Sequence, residues 1–591
     1  MTSAGDTYVL LRAFVDELVR SGMRAACTSP GSRSAPLALT LAREPRLRCY
    51  SHVDERCAGF FALGLAKASG LPVAVACTSG TAAAELLPAA IEAYEARVAL
   101  LLLTADRPPE LRGNGAGQAI DQLKLYGGAA KWFFEVGTHD ATPERLRWMR
   151  TLACRAYATT LEGRPGVVHL NFALREPLVS DEPLVQDTTG RSGDSPYVRR
   201  VSGASSKDRG AGHEELHAAI SDARCGVIVA GREERGDHDW SAGKAAAAFA
   251  AALGWPLLAD PLSDARRGPA AVAHYDALLR HDPFAASVRP DLVLRVGDLP
   301  VSKPLRSWLS DLTDVPQVAL DPEGAWQDPA AVLSRSFALD PATALGEHVN
   351  GVTPADPDWL ARWRSADELT AEAILGALGG QTPSEPRVAL ELGTLLPQGA
   401  TLFVASSMPV REIETFWPVR DDPPRVLCNR GANGIDGTVS SAFGAAAAEN
   451  GPVVLLIGDV ALAHDIGGLL AARRLGLKLT IVLLDNGGGG IFDFLPIAGA
   501  AMARETHPLQ EYEGDIYTRH IATPTGLDFG GAAGLYGLSH ERAEDVPQFR
   551  SALERALARE NSSIVEVRGN RDANVQLHRR VWQAVSAALD S

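Results

Sequence analysis

Short runs that are apolar at nearly every position alternate with amphipathic stretches along most of this chain. Residues 8–21 carry Leu11, Phe14, Val15 and Leu18 on one stripe, the spacing of an amphipathic helix, and Gly22 ends it. Residues 73–76, 98–103 and 166–171 read as buried strands, as do 226–230, 256–259, 291–295 and 317–320. Two more such runs follow at 452–457 and 479–485. A strand without polar alternation is one covered on both faces, which is the situation in a parallel sheet flanked by helices. Strands recurring between helical patterns predict α/β architecture with mainly parallel sheets.

Two polar stretches divide the pattern. Residues 186–212 are rich in Gly, Ser, Asp and Arg and read as a solvated linker; a Pro/Ser-rich piece at 381–386 marks a second connection. The expected layout is three α/β domains over residues 1–185, 213–350 and 387–591. A chain of 591 residues is too long for one core in any case.

Composition narrows the class only slightly. Hydrophobic residues at 46% and charged residues at 22% are those of a soluble globular protein. A net charge of −15 argues against nucleic acid as a partner, so any anionic substrate must be drawn in by a local basic cluster. Seven scattered cysteines without metal-type spacing favour a reducing compartment. The first residues have no basic and apolar leader pattern, and no apolar run is long enough to span a bilayer. The expectation is a cytoplasmic protein without stable membrane insertion.

The chemistry begins where two strands stop. One apolar run ends in Gly458-Asp459 and the next ends in Asn486-Gly-Gly488, one strand–helix–strand crossover later. Carboxyl ends of neighbouring parallel strands are where open α/β sheets bind ligands. A carboxylate, an amide and a glycine-rich backbone are hard oxygen donors suited to Mg²⁺ shared with a phosphate; ordinary strand-end polar residues are the bland alternative. The pair resembles the diphosphate–Mg²⁺ motif of thiamine-diphosphate (ThDP) enzymes, which begins Gly-Asp-Gly and ends in Asn, with Val460 departing at the third position. ThDP enzymes also place a Glu after the second strand of the first domain. Here Glu55 follows Cys49-Tyr-Ser-His-Val-Asp54 and precedes an apolar helix of small residues. Read alone, Glu55 is a helix-start carboxylate worth a few tenths to about 1 kcal/mol through the helix dipole. The turn Thr78-Ser-Gly80 is either a capped turn or the surface that lies against the cofactor's pyrimidine.

The remaining polar turns narrow the resemblance. Ser29-Pro-Gly-Ser-Arg-Ser-Ala-Pro36, Thr104-Ala-Asp-Arg-Pro-Pro109 and Gly115-Ala-Gly-Gln-Ala-Ile-Asp-Gln122 are distinctive. So are Ser407-Met-Pro-Val-Arg411, Asn429-Arg-Gly-Ala-Asn-Gly-Ile-Asp-Gly437 and Gly488-Gly-Gly-Ile-Phe-Asp-Phe-Leu-Pro496. From about residue 8 to the end, the chain resembles the 2-succinyl-5-enolpyruvyl-6-hydroxy-3-cyclohexene-1-carboxylate synthase family, ThDP enzymes of menaquinone biosynthesis.

That resemblance implies the ThDP-binding fold and a transferase. It would decarboxylate 2-oxoglutarate and add the succinyl-semialdehyde unit to isochorismate in a 1,4 sense. It implies that Glu55 meets N1′ of the cofactor, that Thr78, Gly80, Ser407, Ile435, Val460 and Ala461 contact it, and that Ile435 wedges under its bend. Asp459, Asn486 and the Gly488 carbonyl would hold Mg²⁺, with Mn²⁺ as a substitute. Ser32, Arg33, Arg107, Gln118, Lys303, Ser407, Arg411 and Arg430 would bind substrate. Both substrates are dianions, and Arg offers carboxylates a planar two-point fork. Ile491, Phe492 and Leu495 read equally as an apolar wall over the site and as core packing. Gly117 and Pro304 depart from the family pattern. Because Glu55 and Asp459 lie in different domains, the resemblance implies a homodimer as the smallest active unit and favours a tetramer. Competing readings are another ThDP decarboxylase, a non-catalytic homologue, and a phosphotransferase using Asp459 with Asp465.

Overall fold

The computed structural model describes residues 4–179, 186–200, 206–233, 241–348, 352–505 and 515–591. The chain forms two compact units. The first comprises Met1–Gly203 with Asn429–Asn450 and His464–Lys478; the second comprises Ala204–Cys428, Gly451–Ala463 and Leu479–Ser591.

The first unit is built on a parallel sheet of β1 (Ala25–Thr28), β2 (Arg48–Ser51), β3 (Val73–Cys77), β4 (Leu100–Asp106), β5 (Ala130–Glu135) and β6 (Val167–Ala173). Their order is β2-β1-β3-β4-β6-β5. The central strands β3, β4 and β6 are buried at every position, as their apolar runs require. The helices Ala4–Ser21 and Pro143–Leu161 pack into one core with the sheet, through Phe14, Leu18, Met149 and Phe172. The helix Glu55–Ser69 lies against Thr438–Ala448 so closely that a Cβ on Gly64 would meet the Ser441 carbonyl oxygen at 1.8 Å. Only glycine permits that approach.

The stretch expected as a free linker is tied down. Asp187 accepts from Arg150 at 2.6 Å, the Arg191 carbonyl accepts from Arg20 at 3.0 Å, and the Tyr197 N–H donates to the buried Glu17 carboxylate. These anchors are polar and leave no apolar periodicity to read. The helix Ser206–Ile220 also begins inside that stretch.

The second unit carries two sheets. One contains β7 (Gly226–Ala230), β8 (Leu257–Ala259), β9 (Leu292–Val296), β10 (Gln317–Leu320) and β11 (Arg335–Phe337), ordered β11-β10-β9-β7-β8. The other contains β12 (Thr401–Val404), β13 (Arg425–Cys428), β14 (Val453–Gly458), β15 (Thr480–Asp485), β16 (Ser539–Ala543) and β17 (Ser563–Arg568). Its order, β13-β12-β14-β15-β17-β16, repeats that of the first unit's sheet. Buried Arg266 joins the two layers: its guanidinium donates to the Glu414 and Trp417 carbonyls at 3.0 Å, closing the end of the helix Met408–Phe416. Every pairing between these strands is parallel, in agreement with the α/β reading. Among the described residues no helix is long and apolar enough to cross a membrane.

Candidate active site

In the first unit the strand order switches direction between β1 and β3, and a doubly wound sheet opens a crevice at such a point. Ser29-Pro-Gly-Ser-Arg33 leaves β1 there and Thr78-Ser-Gly80 leaves β3. The two turns touch: a Cβ on Gly31 would lie 2.3 Å from the Thr78 Cβ. Gly80 has φ 83°, and its N–H donates to Gln122 Oε1 at 3.0 Å. Ser79 Oγ donates to the Gln118 carbonyl at 2.9 Å and accepts from the Arg107 guanidinium. Gln118 Nε2 returns a bond to the Ser79 carbonyl at 2.9 Å. Behind them, Gln122 Nε2 donates to Asn171 Oδ1 at 2.9 Å, and Asn171 Nδ2 donates to Asp106 Oδ2 at 2.9 Å. This buried amide chain holds the Gly80 and Arg107 turns to each other.

Arg33 is buried; it donates to the Leu174 carbonyl at 2.9 Å and to Glu176 at 3.0 Å, while its Nε has no partner. Burial and then the Arg33 charge lower the pKa of Arg107. The Asp106 and Glu176 charges offset part of that shift, and two neighbouring guanidinium groups still offer a further anion charge-assisted bonds. Ser32 and Gln118 are exposed at the rim, and Gln118 adopts φ 58°.

Glu55 opens its helix behind the capping carboxylate of Asp54, which accepts from Cys57 N–H at 3.1 Å. A helix start alone would lower its pKa. Burial raises it instead, and the charges of Asp54 and Glu85 add to the rise. A carboxyl group so placed is suited to holding a proton against a ligand.

Arg430 and Ile435 share the loop after β13. Gly431 N–H and Ala432 N–H both donate to the Glu92 carboxylate, at 2.8 and 2.6 Å. Ile435 is half-buried, and among the described residues Arg430 has no hydrogen-bond or ion-pair partner.

The last sheet repeats the switch between β12 and β14. Ser407 follows β12 with φ 74°, a conformation that costs a non-glycine residue about 1–3 kcal/mol. Arg411 is not in a turn, as the sequence suggested, but one turn inside the helix Met408–Phe416, because Pro409 fits a first helical turn. Its guanidinium donates to the Ser407 carbonyl.

Asp459 is 2% exposed at the end of β14. Its Oδ2 accepts the Gly488 N–H at 2.8 Å; burial first, then the Asp485 charge, raise its pKa to about 6, against backbone bonds from Val460 and Gly488. Val460 is half-buried and Ala461 buried in the short helix Asp459–His464. Asn486 follows β15, which pairs with β14 through Gly458 and Leu484. Its Nδ2 donates to Glu385 at 2.7 Å, and among the described residues the buried Oδ1 has no hydrogen-bond partner. A buried orphan acceptor beside a buried carboxylate is costly unless a cation completes it. Gly488 has φ 134°, and a Cβ there would meet the Ala522 carbonyl at 2.5 Å. The residues therefore fit Mg²⁺ with a diphosphate. Among the described residues no group of three or more His, Cys, Asp or Glu side chains could hold a metal without such help.

Phe492 is 37% and Leu495 47% exposed and Ile491 is half-buried, so these side chains do not form core. Lys303 is exposed at the first position of the helix Lys303–Asp311. Asp465 is committed elsewhere, accepting from Ser440 N–H at 2.7 Å and Oγ at 3.2 Å, which removes the support for a phosphotransferase site. Sequence reasoning missed Glu385, Glu92 and the Gln122–Asn171 pair; only Gln122 stood inside a motif already singled out.

Comparison with known proteins separates one ThDP family from the others. A 2-succinyl-5-enolpyruvyl-6-hydroxy-3-cyclohexene-1-carboxylate synthase of Geobacillus thermodenitrificans is 42% identical over 100% of this chain and 98% of its own length. The chain belongs to this synthase family. A synthase of Chloroflexus aurantiacus is 41% identical over 98% of this chain and 96% of its own, and one of Listeria monocytogenes 39% over 98% and 97%. Three family models match in series. They are the N-terminal TPP-binding domain of thiamine pyrophosphate enzymes (residues 10–125), the middle domain of thiamine pyrophosphate enzymes (195–404) and the C-terminal TPP-binding domain (410–567). A benzoylformate decarboxylase of Polynucleobacter necessarius shares the fold, with TM-score 0.67 and 17% identity, over 97% of this chain and 99% of that one.

Proposed function

We propose that this synthase-family protein joins 2-oxoglutarate to isochorismate with loss of CO₂, using ThDP and Mg²⁺ or Mn²⁺, as a step of menaquinone biosynthesis. The observation that carries the substrate class is the pairing of Arg33 and Arg107 at the Thr78-Ser-Gly80 turn. Smaller or less charged 2-oxo acids would not need two such cations.

Bound ThDP supplies the electron sink for decarboxylation. The chain's residues supply position, charge and dryness. Asp459, Asn486 Oδ1 and the Gly488 carbonyl would hold the metal, and the backbone at Val460 and Ala461 would bind the diphosphate. Glu55 would hold a proton at N1′ of the pyrimidine, which Thr78 and Gly80 would contact. Ile435 would support the bound cofactor, and Ser407 would contact both cofactor and substrate. Arg33, Arg107, Arg411 and Arg430 take substrate carboxylates, with Ser32, Gln118 and Lys303 adding hydrogen bonds. Ile491, Phe492 and Leu495 would form an apolar wall that limits water at the site.

Glu55 of one chain and Asp459 of a second make one site in this reading, so a homodimer is the smallest active unit and a tetramer its expected assembly. The working compartment is the cytoplasm, supported by seven scattered cysteines without metal-type spacing.

Incubation with ThDP, Mg²⁺, 2-oxoglutarate and isochorismate should consume both substrates and release CO₂. Turnover of pyruvate with no loss of isochorismate would overturn the reading.

A further inference from the structure

Asn486 has an amide that can face either way, and only one way presents oxygen to a cation. Its nitrogen side is enclosed. Glu385 Oε1 lies 2.7 Å from Nδ2, and a Cβ on Gly490 would lie 2.8 Å from the same nitrogen. Glu385 is itself buried, at the first position of the helix Glu385–Leu395, with Ser384 capping that helix through the Arg387 N–H. Were the amide reversed, its nitrogen and not its oxygen would face the cation, and its oxygen would face the Glu385 carboxyl group, which could meet it only by donating a proton of its own. The remaining atom, Oδ1, is buried and has no hydrogen-bond partner among the described residues.

We propose that Glu385 is a positioning residue for the metal: by accepting from Asn486 Nδ2 it fixes the amide with Oδ1 toward the cation. The proposal rests on the metal reading of Asp459 and Asn486 given above. Partners behind a metal ligand commonly change metal affinity by about 10–100-fold when removed. Glu385 needs no ionisation for this role, since a carboxyl oxygen accepts in either protonation state.

The test is Mn²⁺ binding to the full chain with saturating ThDP, followed by electron paramagnetic resonance of the free ion. Glu385→Ala should weaken binding about 10–100-fold. Glu385→Gln, which keeps an amide oxygen for Asn486, should stay within a few-fold of the parent protein. Thermal unfolding without metal and ThDP reports any purely structural loss. If Glu385→Ala does not fold, a swapped pair asks the same question. N486D alone sets two carboxyl groups face to face and should bind Mn²⁺ poorly; N486D with E385Q restores a donor opposite an acceptor and should recover affinity. Undiminished binding in Glu385→Ala, equal loss in Glu385→Gln, or no recovery in the double variant overturns the proposal. Failure of the parent protein to bind Mn²⁺ with ThDP instead overturns the metal reading itself.

Discussion

The Glu92 carboxylate accepts the Gly431 N–H at 2.8 Å from across 339 residues of sequence. The same carboxylate takes the Ala432 N–H at 2.6 Å and faces the Lys67 ammonium at 3.5 Å. Both ionised side chains are buried. A Cβ on Gly431 would lie 2.6 Å from the Glu92 carbonyl, so the loop bearing Arg430 and Ile435 sits directly on the helix Leu87–Glu95. One buried carboxylate thus sets where that loop begins.

Glu92→Ala should therefore be among the most damaging single changes in the first unit. It removes the carboxylate that faces a buried ammonium and accepts from two backbone donors, and breaking a buried pair from one side costs about 3–5 kcal/mol. K67M together with E92A should recover part of the loss, because the buried cation goes together with its carboxylate. Denaturant unfolding of the three variants measures this; equal stability of E92A and the parent would show that the pair contributes nothing.

The buried strands β3, β4, β7, β9, β14 and β15 were legible because they are apolar at most positions. Half-buried or short edge strands were not. Arg48-Cys-Tyr-Ser51 in β2 and Ser539-His-Glu-Arg-Ala543 in β16 carry polar residues that water can reach, and β11 spans three residues. The candidate positions of the site were read at strand ends, where polar residues interrupt apolar runs. Glu385, Glu92 and Asn171 were not, because each acts across a distance of 36 to 339 residues and offers no local pattern.

Arg107 should not tolerate lysine. Its guanidinium donates to Ser79 Oγ and keeps further N–H donors in one plane, a fork that an ammonium cannot imitate. A charge-assisted hydrogen bond is worth about 1.5–3 kcal/mol, so Arg107→Lys should lower kcat/KM about 10- to 100-fold. The loss should fall mainly on KM for one of the two dianions. Steady-state kinetics with each substrate varied in turn locates it, and an unchanged KM for both would remove Arg107 from substrate binding.

Cofactor–metal binding should weaken as pH falls through about 6. Asp459 has its pKa raised from the ordinary 3.8 to about 6, chiefly by burial, and a metal must displace any proton it holds. Below that pH, proton competition should cost Mg²⁺ affinity up to about tenfold per unit at fixed ThDP. The metal-free protein should respond in the opposite sense. Between pH 4 and 6 the folded state keeps a proton on Asp459 that the unfolded chain has lost, so stability falls as pH rises through that window. Asp465, also raised to about 6 by burial, adds to the fall, so Asp459→Asn should flatten the profile only in part. Thermal unfolding at pH 5, 6 and 7, with and without ThDP and Mg²⁺, measures both effects. The gap between the two curves should widen toward pH 7; a gap that stays constant would mean that Asp459 carries no titrating proton where the metal binds.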